Sequence, residues 1–170
     1  MNVALHAAVD LESRVGADDH RALRLWLRLL SCTQHVERQV RSRLRARFGT
    51  TLPRFDLLSQ LERHPEGLRM SALSRRMMVT GGNVTGIVDQ LVREGLVARQ
   101  GDADDRRACR VCLTRAGERA FAEMARAHEA WILELLSGLT RREHAELYAL
   151  LAKVKARALQ VVADAAEEGA

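Results

Sequence analysis

Proline is nearly absent from this 170-residue chain, where only Pro53 and Pro65 interrupt it. Proline ends or kinks a helix, so long helices are possible almost anywhere else. Cysteine is scarce as well. Cys32, Cys109 and Cys112 are an odd set that makes no disulfide framework, and the expected compartment is cytoplasmic. No apolar run nears the roughly 18 residues of a membrane span, since Leu25-Trp26-Leu27 and Leu29-Leu30 flank an arginine, so no membrane partner is expected. The stretch MNVALHAAVDLE lacks a basic region, a long apolar segment and a cleavage site, and does not read as a secretory signal. No internal repeat or low-complexity segment is visible. Lysine is confined to Lys153 and Lys155, which leaves arginine to supply the positive charge.

What is present is globular: 47% hydrophobic and 29% charged residues, in a chain long enough to bury a core without a disulfide or metal. The charge is unevenly placed. Against an overall +5, residues 1–20 and 161–170 each carry −3, leaving +11 on residues 21–160. A basic body between acidic ends suggests an anionic partner, nucleic acid first.

Apolar periodicity predicts a helix over 19–48, through Leu23, Trp26, Leu27, Leu30, Gln34, Val40, Leu44 and Phe48. Asp18 or Asp19 would cap it and Gly49 would end it. A second helix starts near Pro53 and breaks at His64-Pro65-Glu66-Gly67. A short helix at about 70–78 and another at 81–94, capped by Thr80 and stopped by Gly95, follow. The period then changes. Residues 96–100 and 107–114 alternate like strands around Gly101-Asp102-Ala103-Asp104-Asp105-Arg106, which predicts a β-hairpin. Thr114 opens a further helix with Phe121, Met124, His128, Trp131 or Ile132, and Leu135 on its apolar line. Thr140-Arg-Arg-Glu143 is a capping box opening the last helix.

The predicted fold class is therefore mainly α with a small β-hairpin wing, a winged helix-turn-helix. Its domain organisation reads as a flexible acidic arm at 1–18, dimerisation helices at 19–50 and 114–162, a winged helix-turn-helix at 51–113, and a frayed acidic tail at 163–170. The flanking helices are too long to pack only on so small a module. Their apolar faces most simply bury against a second copy, which predicts a helical homodimer.

In a helix-turn-helix the second helix turns one face to the core and one to the major groove. Within 81–94, Val84, Ile87, Val88 and Leu91 share an inward face. Gly82, Asn83, Gly86 and Gln90 fall outward, with Thr85 and Asp89 at the side. Asn and Gln can bond adenine bidentately. Gly81, Gly82 and Gly86 each cost about 1 kcal/mol relative to alanine, which close backbone approach to DNA would justify; the plain alternative is a loose helix start. Thr80 and the free amides after it form an anion site, and Ser71 is read the same way before the preceding helix. Arg54, Arg75 and Arg76 are candidate phosphate contacts, the plain alternative being a solvated face. At the hairpin tip, Arg106 and Arg107 can enter the minor groove, while Asp105 pairs with an arginine and orients the tip. The acids there suggest no metal or acid–base site, and no cofactor is expected.

The stretch from Leu57 to Gly117 resembles the MarR family of bacterial transcription regulators. LSRRMMVTGGNVTGIVDQLVREGLVAR and DADDRRACRVCLTRAG match it, the latter with the family's wing signature of Asp-Arg-Arg followed by a strand and Leu-Thr-x-x-Gly. With the long flanking helices the resemblance covers about 20–160, and it departs at Asp104, where many members have arginine. It implies a triangular winged-helix homodimer, an intertwined helical homodimer of N- and C-terminal helices, on double-stranded DNA at pseudo-palindromic operators, repressing until a small molecule or oxidation releases it.

The resemblance also implies a ligand between the dimerisation helices and the DNA-binding lobe, often an aromatic carboxylate or its coenzyme A thioester. Trp26, Arg28, Cys32, His35 and Arg38 in the first helix, with His128 and Trp131 later, offer a stacking ring and a charge for such an acid. Against this, tryptophan on an apolar helix face is usually core. A thiol-based redox sensor is the alternative, through Cys32 with Arg28 and His35 at helical spacing, although a buried inert thiol is the favoured reading of Cys32. Cys109 and Cys112 face opposite sides of a strand and make neither a bond nor a zinc site. The six histidines read as surface or core. The chain is not expected to be an enzyme, since no nucleophile–base or metal constellation is visible. A winged-helix module for protein contacts is the second class of function. It would not need basic residues along a polar helix and wing.

Overall fold

The computed structural model of the protein describes residues 20–77, 84–101 and 109–168. Their order is α1 (Arg21–Phe48), α2 (Leu52–Glu62), β1 (Leu68–Arg69), α3 (Met70–Arg76), α4 (Val84–Arg93), β2 (Val97–Gly101), β3 (Cys109–Leu113), α5 (Arg115–Leu135) and α6 (Arg141–Glu168). The chain forms two compact units, one ending at Glu129 and one beginning at Ala130. The acidic arm at 1–18, with its capping aspartates, lies outside the described residues.

In the first unit, the described residues leading into α1 begin at His20. His20 is its N-cap and makes no side-chain cap bond. Its end follows the sequence. Gly49 takes φ 61°, the left-handed geometry glycine tolerates best, and its N–H donates to the carbonyl of Arg45 at 3.1 Å. Thr51 is the N-cap of α2, with Pro53 in the first turn, where a missing N–H is harmless. The β-hairpin is present, but the sheet has three strands rather than two, in the order β1-β3-β2, all antiparallel. Leu68 pairs with Val111, and Arg99 pairs with Val111 from the other side. Gly67 makes this possible: its φ is 78°, and a Cβ there would overlap the Cys112 sulfur. α3 ends at Arg76, two residues before the expected 78.

The core of this unit draws on every element. Leu44 of α1, Leu57, Leu58 and Leu61 of α2, Leu73 of α3, Val88 and Leu91 of α4, Val97 of β2 and Val111 of β3 are almost wholly buried. Each contributes on the order of 1.5–3 kcal/mol by leaving water. α5 adds Phe121 and Met124, and the Phe121 ring lies 5.5 Å from that of Phe55.

The α4–β2 joint is held tightly. Gly95 (φ 71°) lets the N–H groups of Gly95 and Leu96 reach back to the carbonyls of Val92 and Leu91, both at 3.0 Å. Thr114, leaving β3, ties down the same joint. Its hydroxyl donates to the carbonyl of Gly95 at 2.7 Å and accepts the N–H of Gly117 at 3.0 Å, the expected cap of α5. Gly117 has no room for a side chain, since a Cβ would overlap the Leu96 carbonyl oxygen.

In the second unit, the capping box is formed. The N–H of Thr140 donates to Glu143 Oε2 at 2.7 Å, and the N–H of Glu143 to Thr140 Oγ1 at 3.3 Å. The Thr140 N–H and the Thr140 hydroxyl, which donates to the same Oε2 at 2.7 Å, hold the Glu143 carboxyl below its usual range. α6 runs on to Glu168, past the point near 163 where fraying was expected. Leu147, Tyr148, Leu150, Leu151, Val154, Leu159, Val161 and Val162 are all exposed along it. No helix among the described residues is long and apolar enough to cross a membrane.

Candidate nucleic-acid interface

α4 has two faces, as its 3.6-residue period requires. Val88 and Leu91 are buried and Val84 and Ile87 half-buried, while Thr85 and Gln90 are exposed and Gly86 is half-buried. The inward set is the one expected from the sequence. Asp89 is not idle at the side: its carboxylate receives Arg99 Nη2 of β2 at 2.6 Å. This pair was not visible in the sequence, because a helix and a strand ten residues apart show no common period.

α3 lies beside α4, with Ser71, Arg75 and Arg76 exposed. Ser71 is corrected in one respect. It sits inside the first turn of α3 rather than before it, and Arg69 is the N-cap. Arg54 is placed differently from the other candidate phosphate contacts. Its side chain is only 17% exposed, its guanidinium pairs with Glu94 at the end of α4, and its Nε is buried without a hydrogen-bond partner. This geometry makes it a clamp between α2 and the α4–β2 joint. Thr80, Gly82, Asn83, Arg106 and Arg107, together with Asp104 and Asp105, lie outside the described residues. The described candidates are therefore Ser71, Arg75 and Arg76 on α3 and Thr85, Gly86 and Gln90 on α4, with the Asp89–Arg99 pair joining α4 to β2.

The ligand candidates on α1 are exposed, and that corrects two expectations. Trp26 is 57% exposed rather than core, and Cys32 is exposed rather than a buried thiol. Trp26 and Arg28 are two residues apart, about 200° around a helix, so they cannot hold one ligand from the same face. Arg28, Cys32 and His35 do share a face, and His35 Nδ1 lies 2.8 Å from the carbonyl of Ser31. A cleft of about 400 Å³ at the α1–α2 corner is lined by Arg41, Ser42, Arg45, Thr50, Thr51 and Leu52 instead. His128 is a half-buried residue whose ring lies 4.9 Å from that of Phe55, and burial lowers its pKa. Cys112 is buried on β3, which raises its thiol pKa. Among the described residues no cluster of His, Cys, Asp or Glu could hold a metal ion.

Comparison with known proteins gives this arrangement a context. Residues 48–108 match the family model described as MarR family. The crystal structure of a MarR family transcriptional regulator from Silicibacter pomeroyi is 31% identical, with a TM-score of 0.71, over 84% of this chain and 99% of that one. Wild-type MarR from E. coli is 26% identical, with a TM-score of 0.67, over 76% and 96% of the two chains. A mutant MarR from E. coli complexed with operator DNA is 24% identical, with a TM-score of 0.68, over 82% and 99%. The six helices and small antiparallel sheet are the winged-helix architecture of these regulators. The chain belongs to the MarR family of transcriptional regulators.

Proposed function

We propose that the protein is a dimeric, sequence-specific DNA-binding repressor that a small aromatic acid or its thioester releases from its operator. The observation behind the DNA reading is the division of α4. Val88 and Leu91 are buried, while Thr85 and Gln90 are exposed, as are Arg75 and Arg76 of α3. These residues offer polar groups for base edges and guanidinium groups for phosphates, which a module for protein contacts does not need. Asn83, Arg106 and Arg107 are proposed to extend it. The operator complex of the E. coli relative supports the same partner. Dimerisation through 19–50 and 114–162 is supported by the exposed apolar residues of α6 and by Leu23, Leu25 and Trp26 of α1. Two copies would place two α4 helices one turn of DNA apart, on a pseudo-palindromic site.

Selection from a random-sequence duplex pool tests the DNA reading, and an enriched palindromic site is expected. Recovery of no sequence above background refutes it. For the effector, the supporting residues are Arg28 and His35, on one face of α1. Hydroxylated benzoates and cinnamates should release the selected DNA, and Arg28→Ala should abolish that response. If Arg45→Ala abolishes it instead, the acid sits in the α1–α2 corner cleft. Exposure of Cys32 favours one second reading, release by thiol oxidation. In that case peroxide releases DNA, Cys32→Ser does not respond, and the acids have no effect.

A further inference from the structure

We infer that the Asp89–Arg99 ion pair is a strut that sets the angle of the β2–β3 hairpin against α4, and that operator recognition depends on it. The inference rests on the DNA reading above and adds two positioning residues to it. The base of the hairpin meets α4 where the backbone bonds of Gly95 and Leu96 and the Thr114 hydroxyl hold it, and β1 pairs with the other edge of β3 at Val111 and Arg110. Neither contact ties the β2 edge to α4 beyond the base. Farther out, Arg99 sits in the middle of β2, opposite Val111 of β3, and reaches across to Asp89 on α4. With the base, this pair holds the β2 edge against α4. It also accounts for an acid on the candidate DNA face. A free carboxylate there would repel phosphates, whereas one engaged at 2.6 Å by a guanidinium has its charge balanced locally. Both side chains are about two-fifths exposed, so the pair adds little to overall stability and its effect should lie in geometry.

The charge change gives the test its sign. Asp89→Asn removes a negative charge, so binding to random DNA should hold or rise. Binding to a duplex selected by the unaltered protein should fall about threefold to fivefold per chain, the range an exposed ion pair supports. The exchanged pair, Asp89→Arg with Arg99→Asp, keeps the net charge and should recover selected-site affinity to within about twofold of the unaltered protein. In the DNA-free protein, Asp89→Asn should speed amide hydrogen exchange in β2 and β3 while leaving α2 unchanged. Tighter binding of Asp89→Asn to selected and random DNA alike would show that Asp89 is merely repulsive. An exchanged pair weaker than either single variant would overturn the strut as well. If selection yields no site, the DNA reading fails, and unchanged exchange in β2 and β3 then disposes of the strut by itself.

Discussion

The two units of this chain spend their apolar residues in opposite ways. In the first, Leu44, Leu57, Leu58, Leu61, Leu73, Val88, Leu91, Val97 and Val111 are almost entirely removed from water. In the second, α6 leaves Tyr148 80% and Val162 68% exposed, with Leu147, Leu151 and Val154 between 39% and 49%. A single chain rarely leaves so much contiguous apolar surface in water unless something is meant to cover it. The first unit is thus a finished core whose only exposed apolar stretch, among the described residues, is the start of α1 at Leu23, Leu25 and Trp26, and the second an unfinished one. The same principle, apolar periodicity, wrote both. Only the supply of partners within the chain differs.

The comparison is broken most forcefully on α6. Leu151→Asp together with Val154→Asp places charge at two positions of its apolar face. If that face is the seat of a second copy, each lost burial forfeits about 1.5 kcal/mol or more. The dimer should weaken over a hundredfold, from about 3 kcal/mol in all. Sedimentation at micromolar concentration would then give a monomer whose circular dichroism is retained. A variant that stays dimeric removes α6 from the interface and leaves its exposure without an account.

In the first unit the comparable disruption needs only one methyl group. Gly117→Ala would drive a Cβ into the Leu96 carbonyl oxygen and against Leu113. The Leu96 carbonyl cannot swing away, because it accepts the N–H of Thr114 at 3.1 Å. Overpacking of this kind costs about 1–3 kcal/mol. Chemical denaturation should show that loss, and an unchanged midpoint would mean that the α4–β2 joint is soft. The same joint explains why Leu-Thr-x-x-Gly is a recognisable ending for the hairpin. Thr114 serves both the joint and the α5 cap, and Gly117 clears the space.

Much of this was legible in the sequence because it is local. The Gly49 and Gly95 stops, the Thr114 cap, the Thr140–Glu143 box and the inward face of α4 all follow from spacings of three or four residues. What escaped depends on distant partners. β1 is two residues long and exists only through pairing with β3, more than forty positions away. Arg54 reads as a surface arginine until Glu94 is beside it. Cys32 reads as buried only if an apolar helix is assumed to be covered by its own chain. The opposition of Trp26 and Arg28, by contrast, was available from helical period alone.

A smaller effect sharpens the contrast between a helix that needs a partner and one that begins well by itself. Thr140→Ala removes the hydroxyl half of the capping box, leaving the backbone N–H of residue 140 on Glu143, and should cost about 1 kcal/mol. If α6 is stabilised mainly by a second copy, the loss should appear as a shift in the dimer's unfolding midpoint that depends on protein concentration. A shift of the same size at every concentration would mean that α6 folds independently of association.

The smallest expected effect lies at His128, against the Phe55 ring in the first unit. Burial lowers its pKa in the folded state, while the unfolded chain keeps a histidine near the ordinary value of about 6.5. The sign follows from proton counting. Below about pH 6.5 the unfolded chain binds a proton that the folded chain still refuses, so stability falls as the pH drops. The fall stops once the pH passes the lowered folded value, and above neutrality the residue contributes nothing to the slope. His128→Phe keeps a ring beside Phe55 and removes the proton, so it should flatten the stability profile between pH 7 and 5. The other histidines remain in both proteins, so the difference between the two profiles isolates His128. Parallel profiles would mean that the imidazole takes up its proton without leaving the Phe55 ring, and that this edge of the core is wetter than its packing suggests.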